Sequence, residues 1–317
     1  MLAPKKQKDL RKDMLKSEDT SRQVSNGLMQ KINDYKILFK WNLSLLVIFS
    51  STITYALGIN FIGVEINWAH FSLLIVSSCL ITWAAATLNQ VLEKDSDKMM
   101  PRTANRPIAA GRIESSHAVF VAGMMSALGI ILLSAINPLS AILGTVSLIS
   151  YVFIYTPLKK VSPIAVWVGA VPGALPMAIG WVAATNNFGL EAIFLFSIQF
   201  FWQFPHFWAI AWVAYEDYAK ADFYLLPTEE GKDGRNKTTA IQCIIYAAIL
   251  IPMSVLPYVL GLTGIIACIV MLICALIYTW YAIKLYQECT AVAARKLMFS
   301  SFLYLPLTLI VLILDKI

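Results

Sequence analysis

Oxygen-bearing side chains recur at four-residue intervals in Asn89-Gln90-Val91-Leu92-Glu93-Lys94-Asp95-Ser96-Asp97. A helix continuing through this stretch sets Asn89, Glu93 and Asp97 on one face within about 80° of arc and turns Asp95 elsewhere. Such a stack repels itself unless something positive lies among it. A hard divalent cation such as Mg²⁺ meets that need, because it takes oxygen ligands and shares them with substrate phosphates. The plainer alternative is a solvated loop in which Glu93 and Asp97 pair with Lys94, Lys98 or Arg102. Asn89 argues for the site, because it still lies inside an apolar run, where polar residues face the bundle interior or a cavity. Arg102 and Arg106 follow at once in Met99-Met100-Pro101-Arg102-Thr103-Ala104-Asn105-Arg106-Pro107. Their guanidinium forks suit phosphate oxygens, although as topology markers Lys would serve equally well. Acids for metal beside arginines for phosphate suggest a metal–diphosphate site.

A second candidate region runs from Phe200 to Asp222. On a helical wheel Gln203, His206, Ile210, Ala214 and Asp217 share about 80° of arc, with Glu216 about 100° away from Asp217. Trp202 and six further aromatic residues crowd the same run, either packing together or lining a path for a hydrocarbon chain or flat macrocycle. His206 is read two ways, as a partner for a neighbouring helix or as part of a reactive site. Tyr155 and Lys159 stand four apart before Lys160. Gly169, Pro172, Gly173, Pro176 and Gly180 mark a helix that neighbours can approach closely.

The elements that must position these residues follow from composition. The 317 residues are 58% hydrophobic and 14% charged, against about 25% charged in a soluble domain. Apolar runs predict spans at 38–58, 68–90, 117–135, 139–156, 164–183, 191–213, 239–257, 263–283 and 297–314. The net charge of +6 does not imply nucleic acid, because 24 of the 25 Lys and Arg fall at or before the edge of the first span or in the loops after spans 2, 4, 6 and 8. Only Lys316 lies on the other side. This bias predicts a cytoplasmic N-terminus and an outside C-terminus, and it suits anionic headgroups of membrane lipids. Residues 1–36 read as a polar, mobile cytoplasmic tail and 37–317 as the intramembrane domain. The tail has neither the h-region of a signal peptide nor the acid-poor composition of a transit peptide, which points to a prokaryotic inner membrane. Five cysteines without a CxxC pair indicate neither a disulfide framework nor a zinc site.

Asn-x3-Asp/Glu-x3-Asp followed by Arg-Thr-x2-Arg-Pro, with the later Trp-Gln-x-Pro-His-Phe, resembles the UbiA-type intramembrane prenyltransferases and their haem-modifying branch more than the quinone branches. The resemblance spans about residues 40–314 and is carried by Asn89–Pro107, Tyr155–Lys160, Gly169–Trp181 and Trp202–Tyr218. It implies an all-α bundle of about nine transmembrane helices around a central cavity, with the polar end at the cytoplasmic face. It further implies farnesyl transfer from farnesyl diphosphate to the vinyl group of haem, with addition of water and Mg²⁺ as cofactor. Carried over, Asn89, Glu93 and Asp97 form a first catalytic metal motif, and Asp217 with Glu216 a second. Arg102, Arg106, Tyr155 and Lys159 become diphosphate ligands, and Trp202, Gln203 and His206 fall to the acceptor or cavity. A downstream haem-modifying enzyme or terminal oxidase is the partner the resemblance suggests. Against the family pattern, Glu93 stands where Asp is commoner, Ala165 where Asn is usual and Asp222 where Gly is usual, while Pro172 and Met177 alter a small-residue and double-Pro pattern. Rival readings are a quinone or aromatic-acid acceptor on the same fold, and a transporter or lipid-binding protein. Transporters place their binding residues near the bilayer midplane; here the acids gather at one face.

Overall fold

A computed structural model describes residues 27–227 and 233–315, and no strand occurs among them. Nine long helices carry the fold: α1 Trp41–Ile62, α2 Trp68–Leu92, α3 Ser115–Ile136, α4 Pro138–Leu158, α5 Ala165–Thr185, α6 Leu190–Val213, α7 Lys237–Val259, α8 Ile265–Glu288 and α9 Ala291–Leu314. Eight are long and apolar enough to cross a membrane. The exception is α6, whose length suffices but whose hydropathy is diluted by Gln199, Gln203 and His206. Residues 1–26 of the expected tail, Glu229 and Glu230 of the second acidic loop, and Lys316 lie outside the described residues. Residues 27–38 form a helix of their own, so a boundary at 36/37 falls within it. The last span begins at Ala291 rather than 297, because a helix tolerates Arg295 and Lys296 when both side chains are exposed.

The spans begin and end on local chemistry. Asn67 caps α2 by accepting from the amides of Ala69 and His70, each at 3.1 Å. Asn137 caps α4 through the Ser140 amide at 2.8 Å, with Pro138 in the first turn. Gly63, at φ +70°, closes α1. On α3 the exposed Phe120, Met124, Leu128 and Ile131 form an apolar stripe that in a multi-pass membrane protein faces lipid.

Packing makes α5 the shared wall. It touches α1, α4 and α6, and α6 in turn touches α7 and α9. One apolar cluster joins Val166, Met177 and Trp181 of α5 to α6–α9, and a second joins Leu175 and Ile179 to α1–α4. Glycines allow the approach. Gly180 lies against the Ser51 carbonyl, Gly169 against the Tyr155 ring and Gly173 against the Gln203 amide. Pro176 deprives the Pro172 carbonyl of its helical donor, and Ser147 Oγ donates to it at 3.3 Å. The helix α4 widens into a π segment over Ser150–Tyr155 before Pro157, a local form that often marks functional sites.

Candidate active site

The first motif is built at the end of α2. Glu93 breaks the helix (φ −93°, ψ 7°), and a short helix, Lys94–Met99, follows. The amide of Glu93 still bonds the Asn89 carbonyl at 2.9 Å and that of Asp97 the Glu93 carbonyl at 2.7 Å, so the four-residue register survives the break. As a result Asn89, Glu93 and Asp97 are all buried, while Asp95 is exposed and pairs with Lys98 at 3.0 Å.

Each member of the stack meets a cation or hydroxyl from another element. Lys40, just ahead of α1, donates to Asn89 Oδ1 at 2.7 Å, and Asn89 Nδ2 donates to Thr156 Oγ1 at 3.1 Å. Lys159 Nζ lies 2.7 Å from Glu93 Oε1 and over the Tyr155 ring at 4.4 Å. Arg106 NH1 donates to both Asp97 oxygens at 2.8 Å and approaches Glu93 Oε2 at 3.9 Å. Two expected diphosphate ligands, Lys159 and Arg106, thus pair with two expected metal ligands, Glu93 and Asp97. Burial explains the arrangement, since a desolvated carboxylate is costly unless paired.

The charges tune one another. Burial opposes the charge on Glu93, but Lys159, Lys40 and Arg106 outweigh it and hold the carboxyl below its ordinary range. At Asp97 burial outweighs Arg106 and pushes the carboxyl up. Lys40 is drawn down to about 7 by burial and by Arg106, against the pull of Glu93. Two carboxylates and three cations share the site, leaving positive charge available to an anion.

The second motif repeats the construction. The helix α6 breaks at Ala214 (φ −98°, ψ 18°), and Tyr215–Lys220 follows as a short helix. Beyond it the chain folds onto the first motif: Met100 packs with Ala221 and Phe223, Arg102 NH2 reaches the Tyr218 hydroxyl at 3.5 Å, and the Tyr224 amide bonds the Lys159 carbonyl at 2.7 Å. Asp217 lies next to this contact but pairs with Lys220 at 3.7 Å. Glu216 is 73% exposed and pairs with Arg235 at 3.0 Å, away from the first motif.

The polar stripe on α6 divides between neighbours. Gln203 Nε2 donates to the Ala170 carbonyl of α5 at 3.1 Å and to the Gln199 carbonyl at 2.9 Å. His206 Nδ1 lies 2.6 Å from Ser301 Oγ of α9. Trp202 stacks on His206 at 4.7 Å and donates from Nε1 to the Ser301 carbonyl at 2.9 Å. The aromatic crowd resolves mainly into packing: Phe204 and Trp208 meet each other, Tyr246 and Trp167, while Phe201 meets Tyr246 and Phe200 rests on Phe201 and Phe204.

Among the described residues no group of three or more His, Cys, Asp and Glu could hold a metal ion unaided. The donors Asn89, Glu93 and Asp97 are all oxygen and hard, which fits Mg²⁺, an ion that characteristically completes its shell with water and substrate phosphate. Sequence reasoning missed Lys40 and Thr156. Lys40 resembled a topology marker at the mouth of a span; the signal available was a lone Lys at the apolar edge on the same side as the motif.

The UbiA prenyltransferase family pattern matches residues 48–305. The chain is 45% identical over 272 residues to protoheme IX farnesyltransferase of Cytophaga hutchinsonii, covering 84% of this chain and 94% of that one. In fold it is similar to a digeranylgeranylglyceryl phosphate synthase, with TM-score 0.75, 19% identity and coverage of 90% and 98% of the two chains. A UbiA homologue from Archaeoglobus fulgidus bound to GPP and Mg²⁺ gives TM-score 0.64 at 17% identity, covering 88% and 99%.

Proposed function

The chain belongs to the UbiA prenyltransferase family, and from that premise we propose that it transfers a farnesyl group from farnesyl diphosphate to the vinyl group of protohaem IX, with addition of water, giving haem O. The observation that carries the acceptor is the 45% identity to a protoheme IX farnesyltransferase across nearly its whole length.

The reaction needs negative charge stabilised as diphosphate leaves an allylic carbon. Bound Mg²⁺, held by Asn89, Glu93 and Asp97 with Asp217 from the second motif, would neutralise part of that charge as a Lewis acid. The chain's own cations do the rest. Arg106, Lys159 and Lys40 exchange their present partners for phosphate oxygens, and Arg102 approaches from the Tyr218 side. Because they are fixed in a buried setting, their stabilisation of the leaving group exceeds what the same charges give in water. Tyr155 and Thr156 line the same end of α4 and hold Lys159 and Asn89 in place. His206 and Trp202, locked to Ser301, form the acceptor-side wall. The site opens to the cytoplasmic face of an inner membrane, as the distribution of basic residues indicates.

Membranes carrying the protein, incubated with Mg²⁺, farnesyl diphosphate and haem, test this reading by mass analysis of the extracted haem. A hydroxyethylfarnesyl product is expected. Unchanged haem beside a prenylated quinone precursor would transfer the assignment to another acceptor, and no diphosphate release with any acceptor would remove the enzyme.

A further inference from the structure

Lys40 holds a left-handed conformation (φ 47°, ψ 52°) between the 27–38 helix and α1. For a residue with a Cβ this conformation is disfavoured and persists only where the surroundings over-determine it. They do so here. Gln90 Nε2 donates to the carbonyls of Ile37 and Leu38 at 3.1 and 2.9 Å, capping the end of the 27–38 helix. Leu38 is buried among Ile108, Ala118 and Val91. Asp34, 7% exposed, receives Arg112 through Nε at 2.9 and 3.1 Å and through NH2 at 2.8 Å.

Arg112 has a second grip. Its NH1 donates to Asn105 Oδ1 at 3.0 Å and its NH2 to the Asn105 carbonyl at 2.9 Å. Asn105 precedes Arg106. One guanidinium therefore joins the helix that ends two residues before Lys40 to the loop that carries Arg106, and these two cations meet the first motif at Asn89 and Asp97.

We propose that Arg112, paired with Asp34, is a positioning residue: a clasp that fixes Lys40 and Arg106 relative to one another so that both reach the same diphosphate. The inference rests on the diphosphate site proposed above. Arg112 touches neither motif, and its effect passes through Lys40 and Arg106.

The test uses the full chain in lipid nanodiscs and the variants Arg112→Ala, Arg112→Lys, Asp34→Asn, Lys40→Ala and Arg112→Ala/Lys40→Ala. Arg112→Ala is expected to raise KM for farnesyl diphosphate about tenfold, with KM for haem unchanged and Arg112→Lys recovering part of the loss. In the Lys40→Ala background the further rise should shrink, because the part of the Arg112 effect that passes through Lys40 is already lost. Mg²⁺-dependent binding of inorganic diphosphate by calorimetry, with no haem present, should follow the same pattern. Unchanged KM for farnesyl diphosphate, an equal rise in KM for haem, or full multiplication with Lys40→Ala would overturn the clasp. If Arg112→Ala is not recovered folded, Asp34→Asn keeps an acceptor facing Arg112 and carries the same readouts. Diphosphate binding that weakens as predicted, in a protein that leaves haem unchanged, would sink the acceptor assignment and uphold the clasp.

Discussion

Asp97 and Asp217 occupy different environments, so the same substitution separates chemistry from folding. Asp97 is buried against Arg106; Asp97→Ala strips the guanidinium of its two 2.8 Å bonds and leaves it the longer 3.9 Å contact with Glu93, and both product and thermal stability should fall. Asp97→Asn keeps the shape and should lower product at least about a hundredfold while the melting temperature stays closer to wild type. The Asp217 side chain is 28% exposed, with only a loose Lys220 pair. Asp217→Ala should therefore abolish haem product without changing thermal stability measurably; retained turnover would remove the second motif from the mechanism. At position 222 the resemblance leads one to expect Gly, and the backbone there suits Gly. Asp222 sits at φ 54°, a conformation Gly reaches freely and Asp only tolerates. Asp222→Gly should raise stability by up to about 1 kcal/mol, read as a higher melting temperature with kcat unchanged. The spacing of Asn89, Glu93 and Asp97 was enough to place all three on one buried face. Their cations were not legible in the same way, because Lys40 lies 49 positions and Lys159 66 positions away from its partner. Such contacts depend on helix packing that no local pattern encodes.

At the scale of elements, hydropathy located the spans to within about six residues, and the structure adds caps at Asn67, Asn137, Asn236 and Thr290 that fix where four of the helices start. The breaks at Glu93 and Ala214 escaped notice, because neither residue is a helix breaker. Each break starts a six-residue helix with its acids in the first turn, so the two motifs are built alike at the ends of α2 and α6. Glycine contacts on α5 give the test at this scale. A Cβ at Gly180 meets the Ser51 backbone carbonyl, which cannot move without shifting α1; at Gly173 it meets the end of the Gln203 side chain, which can rotate. Gly180→Ala should cost about 1–3 kcal/mol, seen as a lower melting temperature and less protein in the membrane. Gly173→Ala should cost less stability.

For the whole molecule, the distribution of basic residues is the ground for the expected topology and for the side on which the chemistry is proposed to occur. In a background lacking the five native cysteines, Asp95→Cys should react with an impermeant maleimide from the cytoplasm, and Glu65→Cys from the opposite side; reversed labelling would invert the proposed orientation. Chelation should abolish haem farnesylation, and added Mg²⁺ should restore it, because an ion held by Asn89, Glu93 and Asp97 would leave part of its shell to water and substrate phosphate and so exchange with solvent.

The polar burden of α6 also bears on how the chain is made. A segment with Gln199, Gln203 and His206 gains little by leaving the translocon alone for lipid. Its hydrogen bonds run to Ala170 on α5 and to Ser301 on α9, and α9 is synthesised after α7 and α8. When α6 emerges from the ribosome, only the α5 partner exists. Membrane insertion of α6 is therefore coupled to α5, which is already at hand, and the seam holding His206 closes only after α9 has followed.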